Sequence, residues 1–426
     1  MSENIWPGIA KVWRRKDADP ISEEASRLAE ETAKNTSSHS INPMINDHVL
    51  TDSQKDCIDY LGENLFIEGV TGSGKSIVLL KRALELHRSH PRESVAFFTT
   101  THVLVKYAKE LCPDNTITIQ TVDSYCLKVH SYIQKKSVNF EENKDFDAIC
   151  SDILRHRDQI NDNIKYDHVL VDECQGMSVK KVKFLKIMSR KSFTIAVDKT
   201  HNTQNIGKSV FGRKKFRSRS FLNNYRSTDE IMKLANDLLL FDRINSDVHG
   251  DYIKAGVPGK KPVLLRLDNG IEERKFIIKF LKNIESRSVK NVAIVCRTND
   301  DVDFYDSSLR YEGIDHLALK DSDTLKKARF VISPQVKIVT ADSSKGLEFD
   351  SVIITDLVED SYPILPDICS EDEFDEILSR DRNLLYMAMT RAREELYLIT
   401  LDGMESRFVN ELNPKHYRTI QNYTLL

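Results

Sequence analysis

The segment Gly69-Val70-Thr71-Gly72-Ser73-Gly74-Lys75-Ser76 follows the spacing G-x-x-x-x-G-K-[ST]. Gly69, Gly72 and Gly74 let successive backbone N–H groups turn inward on one point, a geometry that suits a phosphate. The apolar run Leu65-Phe66-Ile67 comes before the segment and the helix-period stretch Ser76–His87 follows it. The turn therefore opens onto a helix N-terminus, where unpaired N–H groups favour negative charge. Lys75 is then placed to reach the outer phosphates of ATP, and the Ser76 hydroxyl to ligate Mg2+. Farther on, His168-Val169-Leu170-Val171 is a buried-strand pattern that ends in Asp172-Glu173. Asp172 suits the metal ion, through water. Glu173 suits a water that it can polarise, which points to hydrolysis.

Such residues need strands to carry them to one edge. Short apolar runs recur at Leu65–Ile67, Val95–Phe98, Thr116–Ile119, Val169–Val171 and Thr194–Val197, with helical stretches such as Val103–Leu111 between them. A second series runs through Val263–Leu267, Val292–Val295, Val336–Val339, Val352–Ile354 and Leu396–Leu401, with helices expected at Ile271–Ile284 and Arg382–Arg393. Apolar strands alternating with helices predict an α/β fold of mostly parallel sheets flanked by helices. Two series predict two such domains, 49–212 and 213–426. Residues 1–48 are polar and read as an extension with one helix at Glu23–Lys34. Both tryptophans, Trp6 and Trp13, fall there beside Arg14-Arg15-Lys16, so the extension is a candidate for docking a protein partner.

The net charge of −3 excludes a global polycation, so any nucleic-acid surface must be a local patch. Seven cysteines without a C-x-x-C pair read as reduced thiols and not as a disulfide framework or zinc cluster. No stretch approaches the ~18 apolar residues of a membrane span, and Met1–Pro20 lacks the apolar core of a signal peptide. A cytoplasmic protein without membrane contact is expected.

Further residues form a series that resembles superfamily 1 helicases of the UvrD/Rep/PcrA type. Asp172-Glu173-Cys174-Gln175 has their D-E-x-Q form, and Thr51-Asp52-Ser53-Gln54 resembles their glutamine motif. Asn224-Tyr225-Arg226-Ser227 matches N-Y-R-S, Lys345-Gly346-Leu347-Glu348-Phe349-Asp350 matches K-G-L-E-F-D, and Leu385-Tyr386-Met387-Ala388-Met389-Thr390-Arg391-Ala392 is similar to L-Y-V-A-x-T-R-A. The resemblance spans residues 51–393 and implies two RecA-like domains. It further implies that Arg226 and Arg391 cross from the second domain as arginine fingers, with Lys75, Glu173 and Gln175 completing the catalytic set. Gln54 would recognise adenine, Tyr225 would stack on it, and Glu348 would hold the ribose. Contacts to a single strand, DNA ahead of RNA, would come from Thr99, Thr101, Thr121, Arg297, Thr340 and Ser344. The basic run Arg213–Arg219, with Phe211 or Phe216 stacking on a base, is a further candidate patch.

The sequence also departs from that pattern. Asp123 and Asp342 stand where histidine is usual, and an anion beside phosphates weakens contact unless a neighbour compensates. The G-D-x-x-Q motif reads Val197-Asp198-Lys199-Thr200-His201, and Ile77 replaces an arginine that often follows the loop. Little room remains for the large insertions of the family, between Thr121 and Asp172 or near 317–335. An Mg2+-ATP-dependent translocase or helicase, at home in DNA repair or antiviral defence, is the first expectation. An ATP-gated nucleic-acid sensor or recruitment subunit without unwinding activity of its own is the second.

Overall fold

The structure, a computed structural model, describes residues 50–62, 64–112, 115–135, 145–198, 216–241, 254–255, 257–283, 291–320, 335–366 and 368–421. The extension 1–48, the segment 199–201, Phe211, Arg213–Lys215 and the expected domain division at 212/213 lie outside the described residues.

In the first half the chain runs α1 (Asp52–Asp59), β1 (Asn64–Gly69), α2 (Lys75–Ser89), β2 (Val95–Thr99), α3 (His102–Leu111), β3 (Thr118–Thr121), α4 (Val122–Gln134), α5 (Phe146–Arg155), β4 (Tyr166–Val171), α6 (Val179–Ile187), β5 (Ser189–Asp198) and β6 (Arg217–Phe221). The strands form one parallel sheet in the order β3-β2-β4-β5-β1-β6. Every residue of β2 is buried, as expected of a strand covered on both faces. Helices start where a hydroxyl can accept an orphan amide: Thr51, Thr101, Thr121 and Ser178 cap α1, α3, α4 and α6.

The edge strand β6 reaches past residue 212, so the first sheet draws on residues beyond the expected division. Its sequence, Arg217-Ser218-Arg219-Ser220-Phe221, has no apolar run because only β1 flanks it. Arg217 and Arg219 both pair with Asp56 on α1, and Phe216 meets Phe66 edge-on at 6.1 Å. The described part of the expected basic patch is thus tied to its own domain.

The second half contains β7 (Asn223–Asn224), α7 (Asp229–Leu239), β8 (Lys254–Ala255), β9 (Val263–Leu267), α8 (Gly270–Lys282), β10 (Asn291–Cys296), α9 (Asn299–Tyr311), β11 (His316–Ala318), β12 (Gln335–Thr340), β13 (Phe349–Ile354), α10 (Glu371–Met389), β14 (Ala392–Leu401) and β15 (Arg418–Gln421). Its parallel sheet has the order β11-β12-β10-β13-β14-β9-β15, with β7 and β8 paired separately. The helix expected at Arg382–Arg393 begins at Glu371, under a Ser370–Glu373 capping box, and stops at Met389. Arg391 consequently sits in a tight helix-to-strand turn, and Arg393 is already in β14. Val70, in the phosphate-type loop, packs into the hydrophobic core of the second half, which joins the two domains across their cleft.

Candidate nucleotide and nucleic-acid site

Parallel strands carry their loops to one end, and β1, β5 and β4 lie side by side. Their carboxyl ends therefore bring the loop after Gly69, Asp198 and Asp172 together, as open α/β sheets do at ligand sites. Gly72 and Gly74 both have positive φ, at 69° and 83°. Gly72 is required twice over, because a Cβ there would meet Asn224 Nδ2 at 2.5 Å. Gly74 begins α2 without a side-chain cap, so the first amides of the helix have no partner within it. Gln54, itself buried, donates from Nε2 to Ser73 O at 3.0 Å. It braces the loop and is not among the residues that line the cleft.

Lys75 Nζ donates to Gly69 O and Val70 O, both at 2.9 Å, and pairs with Asp198 Oδ2 at 3.1 Å. Asp198, which motif reading had placed only in a departed G-D-x-x-Q, is thus the lysine's counter-ion. Asp172 is buried, and burial together with the neighbouring Glu173 pushes its carboxyl up to about 6, against a hydrogen bond from Ser76 and the charge of Lys75. A serine hydroxyl on a destabilised carboxylate is a donor set that fits Mg2+, whose charge would hold Asp172 ionised. Gln175 Nε2 donates to Glu173 Oε2 at 2.6 Å, while its Oε1 accepts from Asp198 N at 3.0 Å. Gln175 so links the candidate base to the strand that holds the lysine's partner.

The second domain closes the other side of a cleft of about 450 Å³. Arg391 is buried and donates from Nη2 to Thr71 Oγ1 at 3.0 Å, with Nε on Met387 O at 2.8 Å. Burial, then Arg226, lowers its pKa to about 10, which leaves it charged at neutral pH. Arg226 Nε pairs with Glu348 Oε2 at 3.1 Å, and Arg393 stands 3.8 Å from Glu348. Burial pushes Glu348 up, but these arginines outweigh it and hold the carboxylate below its usual range. Tyr225 is exposed at the cleft rim, its N–H on Gly72 O at 2.9 Å.

Two residues that sequence reasoning did not single out complete the contact. Asn224 Nδ2 donates to Thr71 O at 2.9 Å, and its Oδ1 accepts the Arg226 and Ser227 amides at 2.8 Å. Its place in N-Y-R-S was the available signal. Tyr107, on α3, lines the cleft near Glu348, where burial and that carboxylate's charge push its hydroxyl well above the usual range, and nothing in its helix pattern announced that.

The six candidate strand contacts divide. Thr101 is exposed and Thr340 half-buried, each at the start of a turn or helix that its hydroxyl caps. Thr99, Thr121 and Ser344 are buried; the last two bond Ser124 and Ala341 O within their own turns. The Arg297 guanidinium donates to buried Asp381 at 2.8 Å and lies over Tyr362 at 5.5 Å. It ties the end of β10 to α10 and is largely buried. The two unusual aspartates are compensated, Asp123 by Lys181 at 2.6 Å and Asp342 by Lys345 at 2.7 Å.

The chain is similar in sequence to known helicase domains. Residues 219–330 and 318–403 match the UvrD-like helicase C-terminal domain, and residues 62–238 match the Schlafen group 3 DNA/RNA helicase domain. An Acanthamoeba polyphaga mimivirus protein assigned as an ATP-dependent DNA helicase, R568, is 25% identical over 61% of this chain and 39% of its own. UvrD1 of Mycobacterium leprae, named an ATP-dependent DNA helicase, is 30% identical over 36% of this chain and 20% of its own. PcrA of Staphylococcus epidermidis is 34% identical over 18% of this chain and 12% of its own. The matches span well under half the length of these relatives. A solved C-terminal domain of a possible DNA helicase from Lactobacillus plantarum WCFS1 is 22% identical, covering 46% of this chain and 98% of that one at a TM-score of 0.32.

Proposed function

We propose that this chain, a member of the UvrD-like superfamily 1 helicases, hydrolyses Mg2+-ATP in the cleft between its domains and uses the cycle to move along a single nucleic-acid strand, DNA in the first instance. The observation that carries the reading is the reach of Arg391 from the second domain to Thr71 of the phosphate loop. A site whose charge-stabilising arginine arrives from another domain links chemistry to domain closure.

In this reading the loop amides and Lys75 hold the phosphates, and Lys75 exchanges Asp198 for them. Mg2+, held by Ser76 and Asp172, would neutralise charge on the outer phosphates. Glu173, oriented by Gln175, orients and deprotonates the attacking water. Arg391 and Arg226 stabilise the charge that develops on the transferred group. Closure is communicated through Asn224, which touches Thr71 and fixes the Arg226 backbone at once. The loop 341–348 runs from the carboxyl end of β12, at Thr340, to Glu348 at the amino end of β13. It thereby connects a candidate strand contact to the nucleotide cleft. The first domain is best read as ending after Phe221, and any docking role of the 1–48 extension is a separate proposal.

A second reading has one observation in its favour. Between α4 and β4 the described residues hold only α5 and two short turns, with no room for a duplex-engaging subdomain. An ATP-gated sensor would need none. The ATPase rate of the full chain with single-stranded DNA, single-stranded RNA or neither tests both, alongside strand displacement. Stimulation with displacement supports the motor, and stimulation without it supports the sensor. No hydrolysis in any condition overturns the motor, and no ATP binding in any condition overturns both.

A further inference from the structure

At the opposite, amino end of the first sheet, His90 follows α2, Glu93 lies in the turn before β2, and His168 is near the start of β4. We propose that these three side chains form a binding site for a zinc-class divalent cation, distinct from the Mg2+ set at the nucleotide cleft. One ligand atom from each lies within 4.8 Å of the others. His168 is buried, and its Nε2 faces Glu93 Oε2 at 2.7 Å. The Nδ1 atom of the same ring is 2.7 Å from Ser192 Oγ. That hydroxyl can accept from Nδ1–H and leave the Nε2 lone pair directed at the site, the outer support that metal-bound histidines require. His90 Nδ1 is shut away from solvent without a hydrogen-bond partner, and its ring centre is 5.9 Å from that of His168.

Two imidazoles and one carboxylate select zinc and its neighbours over magnesium, which prefers oxygen ligands. With metal–ligand bonds of about 2.0–2.2 Å, Nε2 and Oε2 would stand about 3.3 Å apart, an opening of roughly half an ångström. The turn can supply it: Glu93 is anchored through its N–H on His90 O at 2.9 Å, while its carboxylate also pairs with solvent-facing Lys191. A bound cation would clasp the α2–β2 turn onto β4.

The test uses the full chain, stripped with chelator and dialysed, and titrated calorimetrically with zinc chloride alone and with magnesium chloride alone. One zinc per chain is expected, at least tenfold tighter than magnesium, with a rise in thermal midpoint. His90→Ala, at a half-buried turn position, should lose zinc affinity at least tenfold and lose the thermal shift. Glu93→Gln keeps a hydrogen bond to His168 and should lose affinity likewise, so the result does not hang on one variant. Zinc binding that is absent, or that is unchanged in both folded variants and so belongs to cysteines or other histidines, overturns the proposal. Neither outcome bears on hydrolysis at the cleft.

Discussion

Arg391 Nη2 and Thr71 Oγ1 are hydrogen-bonded at 3.0 Å although 320 positions separate them in the chain. The contact joins the α10–β14 turn of one domain to the phosphate loop of the other. It also sets the guanidinium in place before any phosphate charge develops, because Met387 O and Leu347 O hold its other nitrogens.

Arg391→Ala should reduce kcat by about 1,000-fold or more, the scale of arginine-finger losses, while leaving binding of a fluorescent ATP analogue within a fewfold. Arg391→Lys should not restore the rate, since an ammonium cannot reproduce the planar fork. Single-turnover hydrolysis is the measurement. A kcat near wild type in the alanine variant removes Arg391 from the mechanism.

Glu173→Gln should cut turnover by about 100-fold or more and retain ATP binding. Lys75→Ala should lose both, since it removes the charge that Asp198 now neutralises. Equilibrium binding and steady-state hydrolysis distinguish the two, and an unchanged rate in either variant would sink the assignment.

Stability should respond to pH through a buried acid pair far from the nucleotide. Glu273, on α8, is raised well above the usual range by burial and by Asp356, whose N–H it accepts at 3.2 Å. Burial and Asp301 push Asp356 itself up to about 6, and Tyr305 and Cys296 also face the pair. Both folded pKa values lie above unfolded ones, so the fold holds extra protons and loses stability as pH rises from 3.8 through about 6 and beyond. Glu273→Gln should therefore be more stable than wild type at pH 8, with the gain shrinking toward pH 4.5. Thermal midpoints across that range test it; a gain that is constant or reversed contradicts the assignment.

Arg297→Ala should destabilise the second domain by about 3 kcal/mol, because it leaves the buried Asp381 carboxylate only the largely exposed Arg380 guanidinium and the Ile364 amide as partners. Adding Asp381→Asn should recover part of the loss. Denaturant titration reads both, and the salt dependence of single-strand binding should keep its slope in any folded Arg297 variant. A loss of slope by about one would instead return Arg297 to the phosphate contacts.

Local chemistry was legible in the sequence wherever one short segment holds it. The phosphate loop needs glycines at fixed steps, and Asp172-Glu173 needs an apolar strand to end on two acids; both leave their mark in consecutive residues. The alternation of apolar runs and helices likewise announced two parallel sheets, since strands buried on both faces must be apolar throughout. Edge strand β6 was missed because one flank is open, and Arg217 and Arg219 could serve there. The candidate threonines and Arg297 are hard to read from sequence for a related reason. A hydroxyl that caps a helix or an arginine that pairs inside a core has the same letter as one that meets a phosphate, and only burial separates them. Arg391, Asn224 and Thr71 show the same division from the other side. Motif order pointed to Arg391 as a candidate for the site, but only packing decided that its guanidinium meets Thr71 and that Tyr107 comes beside Glu348 across the cleft. Sequence fixes what each segment can do with its neighbours along the chain. Which distant segments become neighbours is settled by the burial of shared apolar surface, Val70 in the second domain's core among it.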